Sequence, residues 1–118
     1  MDKKVEKLIK SFKEKNENNS NVYSDERIAE IAVNCVSLSE TWRDKVRNNK
    51  GISLELVFFN KSNVLCQTLY GVCFDSLADT IFDVLVNKQH NYSKIALNCY
   101  GFEDGKKWSK LIGELGIN

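Results

Sequence analysis

Asp75, Asp79 and Asp83 stand at four-residue intervals, so on a helix they share one face, each a turn above the last. No Lys or Arg falls between residues 75 and 86. Like charges at this spacing repel by roughly a few tenths of a kcal/mol per pair. Asp75 offsets part of that through the helix dipole, whereas Asp83 lies too far along to benefit. A solvated helix face explains the stripe plainly. The sharper expectation is a docking surface for a basic partner protein, where rim carboxylates accelerate encounter. Glu55 would extend that surface if its side of the sheet is left uncovered.

Covalent and acid–base chemistry finds less support. Cys35, Cys66, Cys73 and Cys99 form no CxxC pair, and His90 is the lone histidine. Each cysteine lies in an apolar periodic segment, as a buried reduced thiol does. A zinc site favours closely paired ligands with histidine support. A reactive cysteine needs a helix N-terminus or a cationic neighbour, and His90 sits in a polar loop that gives it no general-base setting. Metal-dependent nuclease chemistry needs an acid on one strand and an acid and a Lys on the next. The second predicted strand, VLCQTLYGVCF, carries neither. No Gly-rich phosphate loop is present. The expectation is a non-enzymatic protein with no catalytic residues, no cofactor and no metal.

The 118 residues carry a formal charge of +1, which excludes a uniformly basic nucleic-acid binder and a uniformly acidic nucleic-acid mimic. The average hides unlike regions. Lys3, Lys4, Lys7, Lys10, Lys13 and Lys15 crowd the first segment, and Arg43, Lys45, Arg47 and Lys50 follow later. The Lys-rich segment could lie along phosphates, yet i,i+4 partners such as Glu6 and Lys10 describe an ordinary solvated face. The N-terminus lacks the apolar block of a secretory signal, and no apolar run approaches the ~20 residues that span a bilayer. With reduced thiols, the expectation is a cytoplasmic protein.

The elements that would position these residues follow from periodicity. Val5, Leu8, Ile9 and Phe12 mark an amphipathic helix over 1–15, joined by a polar Asn-rich connector, 16–22. Ser24 caps a second helix, with Asp25 and Glu26 in its first turn. Ile28, Ile31, Ala32, Cys35, Leu38, Trp42 and Val46 carry it to about Asn49, and Gly51 stops it. Alternation from Ile52 to Asn60 is a strand. Residues 60–63 turn it into a returning strand over 64–73, an antiparallel hairpin. Asp75 or Ser76 caps a third helix to about Asn87. Ile95, Leu97 and Cys99 make a third strand, broken by Gly101. Trp108, Leu111, Ile112 and Leu115 then predict a last helix from near Glu103. The expected order is α-α-β-β-α-β-α in one domain spanning residues 1–118. It is an α/β (α+β-like) fold whose three-stranded mixed sheet contains a hairpin and a β-α-β crossover, covered by helices.

A small capped domain with no catalytic constellation and one acidic stripe predicts a protein-binding module with one cognate partner. The most concrete member of that class is a bacterial immunity protein that neutralises a basic toxin, such as a nuclease, through acidic residues. Lys and Asn exceed Arg and Pro, as in AT-rich genomes. On this expectation Asp75, Asp79, Asp83 and Glu55 contact the partner. The competing expectations are a nucleic-acid-associated or regulatory protein using the Lys-rich first helix, and a small enzyme built on Cys73, Cys99 and His90.

Overall fold

The computed structural model describes residues 2–19, 23–46, 53–73, 76–87 and 92–117. Along the chain these form α1 (Lys3–Asn18), α2 (Asp25–Val46), β1 (Ser53–Asn60), β2 (Leu65–Tyr70), α3 (Leu77–Val86), β3 (Tyr92–Glu103) and β4 (Lys106–Gly116).

Local chemistry sets the helix starts. Asp2, in extended conformation, accepts the Lys4 N–H at 2.8 Å and opens α1. Ser24 Oγ accepts the Arg27 N–H at 3.2 Å at the head of α2, the expected cap. Ser76 precedes α3 without a side-chain cap bond; the alternative cap, Asp75, lies outside the described residues. The Asn-rich stretch behaves differently from a bare connector. Helix α1 continues through it to Asn18, and Asn16 is buried. Its amide donates to the Tyr23 carbonyl at 2.9 Å while its Oδ1 accepts the Tyr23 N–H at 3.0 Å. Asn16 thereby clasps the start of the next segment and satisfies backbone groups that burial would otherwise leave unpaired.

The sheet has four strands in the order β2-β1-β3-β4, every neighbouring pair antiparallel. The expected hairpin of β1 and β2 is present, its turn held by Asn60 Oδ1, which accepts the Ser62 and Val64 N–H groups. Gly101 does not break β3, which runs on to Glu103, and two larger expectations are corrected. Strands β2 and β3 do run in the same direction, but β1 lies between them, so no parallel pair forms and the sheet is not mixed. The last segment is a strand. Asp104 and Gly105, with φ of 52° and 76°, make the two-residue turn that folds β4 back on β3, as Asp-Gly pairs do in tight hairpins.

The helix-like apolar spacing of β4 has a physical cause. Leu97 faces Gly113 and Asn98 faces Leu111, leaving Ile112 as an extra residue in a bulge. The bulge shifts the alternation, so Ile112 and Leu115 both enter the core at a spacing that imitates a helix. Gly113 also faces inward. A Cβ there would stand 2.7 Å from Leu38 Cδ1 of α2, so the missing side chain permits the close approach of helix to sheet.

All three described helices pack on one side of the sheet. Leu54, Leu56 and Phe58 of β1 and Ile95, Leu97 and Cys99 of β3 bury against Ile28, Ile31 and Cys35 of α2 and Leu77, Ile81 and Phe82 of α3. Helix α1 packs on α2 and α3 and contributes Phe12, which stacks on Phe82 with centroids 4.2 Å apart and planes 3° from parallel. The result is a small α+β domain whose described helices all lie on one face of the sheet. Among the described residues no helix is long and apolar enough to cross a membrane.

Candidate functional site

Strand alternation decides what the face opposite the described helices presents. Because Leu54, Leu56 and Phe58 point toward the helices, Glu55, Val57 and Phe59 point away. Strands β3 and β4 add Lys94, Ala96, Asn98, Tyr100 and Phe102, and Lys107, Ser109 and Leu111, by their register with β1 and with each other. Tyr70 of β2 stands opposite Glu55.

Glu55 is the centre of this face and is only 3% exposed. Its burial is achieved by strand neighbours. Lys107 Nζ reaches across β3 to within 2.7 Å of Oε2. Ser109 Oγ donates to Oε1 at 2.9 Å, and Asn98 Nδ2 donates to Oε1 at 3.2 Å. Burial pushes the carboxyl pKa up, but the hydrogen bonds from Lys107, Ser109 and Asn98 outweigh it and hold the pKa below its ordinary value. Glu55 is therefore an engaged carboxylate. The hydrogen bond to Glu55, together with its charge, raises the pKa of Lys107 against the opposing effect of desolvation.

The ammonium of Lys107 also lies over two aromatic rings, 4.8 Å from the centroid of Tyr70 and 5.2 Å from that of Tyr100. Tyr70 and Tyr100 meet edge to face at 5.7 Å, and Tyr100 and Phe102 at 6.4 Å. Lys94 Nζ sits 4.6 Å above the Phe59 ring and 3.7 Å from Glu114. Around these paired charges Tyr70, Phe102 and Leu111 remain 61%, 69% and 51% exposed. Rings and charges hold one another in place, and large apolar surface stays open to solvent.

The chain matches no protein-family model, no curated protein and no solved structure. The assignment of a site therefore rests on geometry.

The residues expected from the sequence to form one acidic surface separate. Asp75 lies outside the described residues. Asp79 and Asp83 do share a face of α3, but α1 brings Lys15 Nζ to 2.7 Å from Asp83 and 3.8 Å from Asp79. Ser11 Oγ donates to Asp79 at 3.4 Å. Their side chains stay 48% and 61% exposed. Glu55 does not join them, because it stands on the opposite side of the sheet.

The cysteines also differ from one another. Cys35 and Cys99 are buried, Cys66 is half-buried and Cys73 is exposed, so the expectation of four core thiols holds for Cys35 and Cys99. Burial, with a smaller contribution from the Asp79 charge, pushes the Cys35 thiol up to about 12. His90 lies outside the described residues.

Sequence reasoning missed Tyr70, Tyr100, Phe102, Lys107 and Ser109 as a group. Reading the β4 segment as a helix removed Lys107 and Ser109 from the sheet. The signal that identifies them is the Asp104–Gly105 pair between two runs of strand-forming residues.

Proposed function

We propose that this protein is a non-enzymatic protein-binding module that docks one partner protein through the open face of its sheet, an immunity protein that neutralises a cognate toxin being the concrete case. The observation that carries the reading is the exposure of Tyr70, Phe102 and Leu111 around the Glu55–Lys107 pair. Tyrosine and phenylalanine supply large contact area with few torsions to freeze, which lowers the ordering cost of association. Anchors of this kind, clustered at a patch centre, dominate protein interfaces. Because Lys107 and Lys94 already face Glu55 and Glu114, the complementary partner surface is apolar at its centre.

The edges of the sheet suit strand addition less well. Strand β2 is short, and β4 carries Lys106, Lys107 and Lys110 together with its bulge, devices that discourage edge pairing. A row of stacked nucleobases is also disfavoured, since adjacent rings stand 80° and 87° to one another. Base-stacking platforms need free ring faces, and Lys107 covers one face of Tyr70 and Tyr100.

The stripe of α3 is a second surface for the same class of partner, favoured by the 61% exposure of Asp83. A basic toxin cleft would compete there with Lys15. The test compares tagged wild type, Y70A/F102A and D79K/D83K for retention of a partner from source-cell lysate, followed by co-expression of that partner with the protein. The proposal expects Y70A/F102A to lose both retention and rescue of growth from the partner's toxicity, with D79K/D83K retaining both. Loss with D79K/D83K alone transfers docking to α3. A captured partner that is harmless on expression refutes the immunity reading, and retention by both variants refutes both surfaces.

A further inference from the structure

We infer that, until a partner protein binds, a second copy of this chain covers the sheet face opposite the described helices, related by a two-fold axis parallel to the strands. The inference rests on the reading of that face as a docking surface and names its occupant in the free protein. Register lays residues across the face in rows from β2 to β4. One row runs Tyr70–Glu55–Asn98–Leu111, the next Thr68–Val57–Ala96–Glu114, and the third Leu65–Phe59–Lys94–Gly116. A two-fold axis along the strands keeps each row at its own height and reverses it, so β2 of one copy lies over β4 of the other. Such an isologous interface requires each row to complement its own reversal.

These rows meet that requirement. In the first, exposed Tyr70 lies over exposed Leu111 of the second copy, twice by symmetry, and the Glu55–Asn98 hydrogen bond lies over its equivalent. In the second, Thr68 meets Glu114, polar on polar, and Val57 meets Ala96, apolar on apolar. In the third, exposed Leu65 lies over Gly116, where nothing stands within 4 Å of a Cβ position, so a knob meets a hollow. Phe59 meets Lys94, whose ammonium already sits over the Phe59 ring of its own chain. Glu55 pairs with Lys107 and Glu114 with Lys94 inside each chain, so two copies meet without net like charge. Four strands ~4.8 Å apart, with the 8-residue length of β1 at ~3.3 Å per residue, give a face of about 500 Å². Stacking two such faces buries about 1,000 Å² in total, the lower limit for a specific interface. A dimer of this size is weak enough to yield to a partner that buries more.

The test is sedimentation velocity of the purified full chain over a roughly thousandfold concentration range reaching about 1 mM, which spans the affinities of small interfaces. A reversible shift from 13.5 kDa to twice that mass is expected. Y70K and L111E should each weaken association by about tenfold or more, since each buries an unpaired charge twice per dimer. An equimolar mixture of the two should regain affinity, because it sets the introduced ammonium opposite the introduced carboxylate at one of the two contacts. G116W fills the hollow and should also dissociate the dimer. The control K10E/K13E, on exposed lysines of α1, should associate as wild type does. Circular dichroism checks that each variant keeps the fold. A chain that stays monomeric throughout overturns the inference and leaves the face to a different protein, whose capture from lysate is a separate measurement. Undiminished association of folded Y70K, L111E and G116W also overturns it, as does a mixture no tighter than its components.

Discussion

Lys15 Nζ lies 2.7 Å from Asp83 Oδ1 across the contact of α1 with α3, and 3.8 Å from Asp79 Oδ1. A single cation from the Lys-rich helix therefore serves both described members of the acidic stripe. Opposite charge patches that look in sequence like sites for different partners meet each other in the fold. Because Lys15 and Asp83 are 28% and 61% exposed, solvent screens the pair. K15A should destabilise the protein by less than about 1 kcal/mol. Urea denaturation at low and at high salt measures this, and the difference between wild type and variant should shrink as salt rises.

Helix α1 belongs to the core. Phe12 is fully buried and stacked on Phe82, so F12A should cost about 3–5 kcal/mol through lost contacts and the cavity left behind. Equilibrium denaturation followed by circular dichroism tests this. A cost near zero would mean that α1 is detached from the domain in solution.

The Glu55–Lys107 pair makes stability depend on pH in a defined direction. The folded pKa of Glu55 is depressed, so its contribution is fully present above the unfolded value of about 4.3 and is lost as pH falls through the folded value. E55Q should flatten this acid limb. At neutral pH it should lower stability modestly, because the Lys107 ammonium loses its counter-charge at a site that solvent screens. The double replacement E55L/K107M, which removes both charges, should recover much of that loss. Thermal melts of the three proteins from pH 3 to pH 8 distinguish these outcomes.

Thiol reactivity should follow burial. A disulfide reagent added to the folded protein should modify Cys73 first and Cys66 more slowly. Cys35, whose pKa is pushed up to about 12, and Cys99 should react only on unfolding. Mass spectrometry of the labelled sites against time reads the order directly.

Much of the fold is legible in the residues because it depends on local chemistry. Ser24 with Asp25 and Glu26 announces α2, the alternation of Leu54, Leu56 and Phe58 announces β1, and residues 60–63 announce the hairpin. The candidate site is less legible, since its members come from β1, β2, β3 and β4. Glu55 is visible as an acid in a strand, but nothing near it in sequence says that Lys107 will neutralise it. Asp79 and Asp83 are visible as a stripe, but their meeting with Lys15 joins residues far apart in the chain.

What the sequence by itself determined is the set of helices α1, α2 and α3, the β1–β2 hairpin and the apolar faces that build the core. These follow from capping, side-chain period and turn chemistry acting within a few residues. The Asp104–Gly105 pair hints at β4, but the tertiary structure decided it, because the bulge at Ile112 gives that strand a helix-like apolar spacing. Tertiary structure also decided which charges are paired. Packing all the described helices on one side of the sheet left Tyr70, Tyr100 and Phe102 together on the other, and which side a face turns to solvent is set by contacts between distant segments.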